Sequence, residues 1–103
     1  MSPTSVESLI LGATEEAQAL LDGLYRQTPE PTDDSPLNQA GLRDGASIVR
    51  DYLKHGEAGV AFEHLIYMIK EPGLRLSDES RRKILQAGQA LGLPESAYSE
   101  AAV

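Results

Sequence analysis

Cysteine and tryptophan are absent from this chain of 103 residues, and phenylalanine occurs once. Without cysteine there is no disulfide, no thiolate zinc site and no cysteine nucleophile, which fits a reducing compartment. Basic residues are scarce as well: 9 Lys and Arg stand against 16 Asp and Glu, a net charge of −7. Phosphate recognition draws its affinity from Lys and Arg, so the composition argues against a nucleic-acid binder. Long apolar runs are also missing. Leu9-Ile10-Leu11 is too short for a secretory signal. No segment approaches the roughly 20 apolar residues of a membrane span. There is no alternating strand pattern, no internal repeat and no low-complexity tract. These absences predict one soluble, cytoplasmic domain, large enough to bury roughly 60–70% of its unfolded surface without staples.

What the chain does have is helical periodicity. Thr4-x-x-Glu7 has the form of a capping box. Val6, Leu9, Ile10, Ala13, Ala17, Leu20, Leu21 and Leu24 then form one apolar face, predicting a first helix over about 4–25. Three prolines and three acids between Thr28 and Pro36 cannot continue it, so residues 26–36 read as an extended acidic loop. A second helix is predicted over about 37–55, with Ser35 as N-cap and Pro36 just inside. Gly41 and Gly45 each weaken it by roughly 1 kcal/mol relative to Ala and leave a start near Leu42 open. On the face shared with Leu37, Ile48 and Tyr52 they would let a neighbour approach closely.

His55-Gly56 suits a left-handed C-terminal cap, and a third helix follows at once over about 57–70. So short a connection implies an antiparallel hairpin. This third helix is the most apolar, which places it at the centre. Glu71-Pro72-Gly73 stops it, and Ser77 caps a fourth helix over about 78–91 with Asp78 and Glu79 in its first turn. A short terminal helix or turn over about 94–100 carries Tyr98. The predicted fold is all-α: a single compact bundle of four to five helices with a Pro-rich acidic loop after the first.

The catalytic inventory is thin. His55 and His64 are the only histidines, and a metal site needs three or four ligands in fixed geometry. His55 sits at a helix end, where a cation is favoured anyway, and His64 falls on the polar side of its helix. Glu15-Glu16 point about 100° apart on a helix, and Asp33-Asp34 lie in the loop. The glycines are too scattered for a phosphate loop, and no Ser or Thr has a recognisable base. Arg81-Arg82-Lys83 is the only basic run, expected to pair with acids of the first helix or the loop. No catalytic residue, cofactor or metal is therefore expected, and the chain does not read as an enzyme.

Surface anomalies are more informative. Residues 1–40 hold seven acids and one base, Arg26, whereas residues 41–103 hold nine acids and eight bases. Leu11, Glu15, Gln18 and Asp22 form a stripe on the first helix away from its core face. Val60, Glu63, His64, Tyr67 and Glu71 share the side of the third helix away from Phe62 and Leu65. An exposed Tyr beside acids suits an interface hot spot, the aromatic anchoring and the charges steering. Asp33 and Asp34 form a third candidate, since loops often carry recognition. A lone surface Leu or Tyr is also common on any protein. The expected partner-binding residues are Leu11, Glu15, Asp22, Asp33, Asp34, Val60, Glu63, His64, Tyr67 and Glu71. Replacing Tyr67 by Ala is expected to weaken binding by about 2 kcal/mol or more with little change in folding.

One block has a recognisable wording. Asp51-Tyr52-Leu53 precedes a turn, followed by Glu57-x-Gly59-Val60-Ala61-Phe62-Glu63-His64-Leu65. Glu71-Pro72-Gly73 makes a break, and Leu76-Ser77-Asp78-Glu79 opens a helix ending Ala90-Leu91-Gly92. With these motifs, residues about 49–93 resemble the Maf-toxin immunity family of bacterial polymorphic toxin systems. The resemblance implies a non-enzymatic protein that binds a sibling or self-delivered toxin domain in the cytoplasm. It would block the toxin's active site or hold it inactive, as a monomer in a 1:1 complex. Many such toxins are nucleases with basic clefts. Contact surfaces vary within such families, so the candidate contacts come from the stripes above.

Two other readings stay open. A helical adaptor or effector chaperone would bind a protein without inhibiting it. A small enzyme or metal protein would lose its activity when His55 and His64 are replaced together.

Overall fold

Ser5 begins the first helix, α1 (Val6–Gln27), by accepting a hydrogen bond from the Ser8 N–H at 3.1 Å. The expected capping box opens at Thr4, which lies outside the described residues: a computed structural model describes residues 5–102. Three further helices follow, α2 (Gly45–Lys54), α3 (Ala58–Lys70) and α4 (Asp78–Ala90), then a 3-10 turn at Glu95–Ala97. All regular structure among the described residues is helical, and the four helices pack as a bundle.

α1 buries Leu9, Ile10, Ala13, Thr14, Ala17, Leu21 and Tyr25. The polar member of that stripe, Thr14, donates its hydroxyl to the Ile10 carbonyl at 2.6 Å, so its burial leaves nothing unpaired. Leu20, read as part of the core face, is 37% exposed, because it is turned about 100° from Leu21 around the helix. α1 packs against α2, α3 and α4. The expectation that α3 is central is therefore only half right: α3 supplies the buried Ala61, Phe62, Leu65, Ile66, Met68 and Ile69, but α1 is the wall on which the others rest.

α2 and α3 form the antiparallel hairpin. Gly56 adopts φ 76°, and the Glu57 N–H returns to the Tyr52 carbonyl at 2.8 Å. At the other end Met68 lies beside Gly45, where an added Cβ would meet the Met68 Sδ at 2.6 Å. α1 and α4 also run antiparallel, since Lys83 lies against Gly12 and Ser77 against Glu16.

The largest departure from expectation is the start of α2. The second helix, read as 37–55 with a start near Leu42 left open, covers only Gly45–Lys54, close to the later start. Residues 32–45 instead form isolated turns, with Ser35 N–H donating to Thr32, Asn38 to Ser35 and Gly45 to Leu42. Gly41 sits at φ 83°, a left-handed conformation no α-helix contains. Leu42 next to it is wholly buried and anchors the turns to the core. The terminal helix or turn read as 94–100 is only the 3-10 turn. Its following Tyr98 is buried edge-on against Phe62, ring centroids 5.9 Å apart at 77°.

Candidate protein-binding surface

α3 continues past its core face into a polar outer face. A spacing of four residues lines up Glu63, Tyr67 and Glu71, with Val60 one turn before them. Val60 is 37% exposed, and Glu63 and Glu71 stand in solvent. Tyr67 and His64 are less free than their helical positions imply. The Tyr67 hydroxyl donates to the Ala40 carbonyl at 2.7 Å. His64 Nε2 lies 2.9 Å from the Gly41 carbonyl, and since a carbonyl only accepts, Nε2 carries the proton. The two rings sit 5.4 Å apart.

Tyr67 is half-buried and packs against the core cluster. Burial, and secondarily the Glu71 carboxylate, raise its phenol above the ordinary tyrosine range. The expectation that Tyr67→Ala spares folding is corrected on this geometry, because the substitution removes a hydrogen bond and core contacts together.

Two shallow hollows flank this residue row. One is lined by Glu63, Ile66, Tyr67, Lys70 and Glu71, the other by Phe62, Glu63, Ile66, Leu93 and Ala97. They share Glu63 and Ile66 and so adjoin, with the buried Ile66 and Phe62 on their apolar side. Lys70 lines the first of them, its Nζ 3.3 Å from Glu100 Oε2.

The acidic loop joins this surface through residues 38–41. Asn38 Nδ2 donates to Asp33 Oδ1 at 3.4 Å, and Thr32 Oγ1 to Asp34 Oδ1 at 2.8 Å; both aspartates are exposed. Backbone carbonyls at Ala40 and Gly41 then meet Tyr67 and His64. The α1 stripe is not gathered in. Glu15 and Asp22 are exposed, but Leu11 is half-buried and so is not the exposed anchor it was read to be. Asp22 accepts from Gln18 Nε2 at 2.9 Å and lines a separate hollow with Tyr25, Arg26, Pro29 and Arg43.

The residues that hold these parts in place were not legible as such. Gln18 Oε1 accepts the Ala46 N–H at 2.8 Å and its Nε2 reaches the Arg43 carbonyl at 3.1 Å, capping α2 from α1. The Arg43 guanidinium lies 4.0 Å over the Tyr25 ring and donates to the Pro29 carbonyl at 2.5 Å. The Tyr25 hydroxyl donates to Leu37 at 2.8 Å, and burial, opposed by Arg43, raises its phenol above the ordinary range.

The basic run pairs within α4, Arg81 with Asp78 and Lys83 with Glu79 at 3.6 Å, not with the loop. His55 Nδ1 donates to the Asp51 carbonyl at 2.8 Å. Among the described residues no group of three or more side chains is placed to hold a metal, and no helix is long and apolar enough to cross a membrane. What this arrangement offers chemically is a recessed apolar strip with a fixed aromatic and acids on its rim. In comparisons with known proteins, no family model matches the chain, and no curated protein or solved structure matches it either.

Proposed function

We propose that this chain is an immunity protein, which binds a cognate bacterial toxin in the cytoplasm and neutralises it by covering its active site or an adjacent surface. The observation that carries the reading is the outer face of α3. Its aromatic anchor, Tyr67, is already held by the Ala40 carbonyl, so binding need not order it. Glu63 and Glu71 beside it attract a positively charged cleft and speed the encounter. A basic nuclease toxin has such a cleft, and an acidic helical face competes there with nucleic acid. The resemblance of residues 49–93 to the Maf-toxin immunity family supplies the class of partner.

Co-expression with the adjacent open reading frame tests the proposal. The neighbour expressed alone should stop growth, this chain should restore it, and the two should co-purify in a 1:1 complex. A neighbour that is harmless, or that does not bind, overturns the reading. A complex in which the neighbour keeps its activity points instead to an effector chaperone.

A further inference from the structure

We propose that the depression along α3 receives a basic amphipathic helix of the protein partner, one Arg or Lys lying against Tyr67 between Glu63 and Glu71, and an apolar side chain filling the adjoining hollow. This rests on the protein-binding reading above and adds the chemistry of what docks there.

The charge argument comes first. Glu63 and Glu71 are eight residues apart, about 12 Å along the helix, with Tyr67 midway on the same face. Neither carboxylate takes part in an ion pair or a side-chain hydrogen bond among the described residues, whereas Lys70, the one cation lining the depression, is drawn aside by Glu100 at 3.3 Å. The rim is therefore left with two uncompensated negative charges astride an aromatic ring. A cation placed there meets a carboxylate on each side and the ring quadrupole.

The apolar argument selects the rest of the ligand. Ile66, Phe62, Leu93 and Ala97, with Glu63, line the adjoining hollow, which a cation at Tyr67 leaves empty. A basic and an aliphatic residue one turn apart on a helix present both chemistries on one face. Phosphate-bearing ligands, whether nucleic acid or an anionic lipid surface, are repelled by the same two glutamates.

The test uses the full chain, labelled with nitrogen-15, and a synthetic amphipathic peptide of Ala, Leu and Arg with helical periodicity. Amide shifts should concentrate at residues 60–71 and 93–97 and fade as salt is added. Glu63→Gln with Glu71→Gln should weaken binding about tenfold or more. Glu7→Gln with Glu30→Gln removes the same charge at exposed positions away from α3 and should leave binding nearly unchanged. A peptide with Glu in place of Arg should not bind.

No binding of the Arg peptide, shifts spread over α1, or equal loss in both double variants overturns the inference. Its failure is separable from that of the function. If the neighbouring gene product is neutralised while the peptide fails, only the docking mode falls. If the peptide seats on α3 while the neighbour is neither toxic nor bound, the immunity reading falls and the site stands.

Discussion

At the residue scale, Glu16 explains more of the architecture than any residue of the apolar stripes. A capping box needs two reciprocal bonds: the N-cap hydroxyl accepts from the third helical N–H, and an acid at that third position reaches back. In α4 the first bond is present, Ser80 N–H to Ser77 Oγ at 3.2 Å. The returning acid is missing, because that position is Ser80. Glu16 supplies it from α1, accepting from Ser77 N–H at 2.5 Å, Ser77 Oγ at 2.6 Å and Ser80 Oγ at 2.8 Å.

Burial works to raise the Glu16 pKa, but the hydrogen bonds from Ser77 and Ser80, and the Lys83 charge, hold it below its ordinary value of 4.5. A depressed carboxyl stabilises the fold above its unfolded pKa and loses that contribution as pH falls through the folded one. Glu16→Ala should therefore destabilise the protein by about 2 kcal/mol at neutral pH. In urea unfolding the gap to the parent chain should shrink as pH is lowered through and below the ordinary carboxylate range; a gap that stays constant would show that the charge is irrelevant.

Tyr67 gives a second prediction at this scale. Tyr67→Phe removes only the bond to Ala40 and should cost about 1 kcal/mol, while Tyr67→Ala also empties part of the core and should cost about 2–3 kcal/mol. Equal urea midpoints for the two variants would contradict the packing described here.

At the scale of elements, the stops were easier to read than one of the starts. The end of α1 follows from Pro29 and Pro31, and the α2–α3 turn from Gly56. The beginning of α4 follows from Ser77, because each of these residues acts on its own immediate backbone. Of the two starts open for α2, the structure favours the later, although Ser35-Pro36 is compatible with a helix locally. What forbids one is distant: the Tyr25 hydroxyl binds Leu37, Tyr67 binds Ala40, and Arg43 is spread between Tyr25 and Pro29. The same distant bonds explain why the site was half legible. The row Val60, Glu63, Tyr67 and Glu71 follows from helical spacing alone, but spacing cannot reveal that a loop pins Tyr67. Leu11 is half-buried rather than exposed, which its spacing along α1 alone does not reveal. For Glu16 a faint signal existed, in a serine N-cap with no acid three residues on.

Two glycines differ in what stands above them, and that difference is testable. A Cβ at Gly88 would lie 2.6 Å from Tyr98 ring carbons, and that rigid ring is itself held against Phe62. Gly88→Ala should destabilise by about 1–3 kcal/mol and loosen the C-terminal turn. A Cβ at Gly45 meets Met68 at Sδ and Cε and, at 2.9 Å, at Cγ; Met68 is fully buried, but its thioether is more adaptable than a ring. Gly45→Ala should therefore destabilise as well, but by less than Gly88→Ala. Thermal unfolding of both variants checks the ranking, and a Gly45→Ala more damaging than Gly88→Ala would refute it.

At the scale of the whole molecule, the net charge of −7 acts on two processes with opposite response to salt. The molecule measures 45 × 28 × 23 Å. The Debye length is about 30 Å at 0.01 M salt and about 8 Å at 0.15 M. At the lower ionic strength, acids on opposite sides of the bundle therefore repel one another, whereas at the higher one they are largely screened. The ion pairs that salt would also weaken, Lys70–Glu100, Arg81–Asp78 and Lys83–Glu79, each have at least one well-exposed partner, and such pairs contribute little. Relief of repulsion should win, and the melting temperature of the free protein should rise between these two salt concentrations. Association with a basic partner should respond the other way. The attraction that steers the partner towards Glu63 and Glu71 is screened by the same ions, so the on-rate should fall while the off-rate changes little. Stopped-flow association beside thermal unfolding, in the same buffers, reads both signs. A melting temperature that falls with salt would mean that local pairs, not the overall acidity, govern the electrostatics of the free chain.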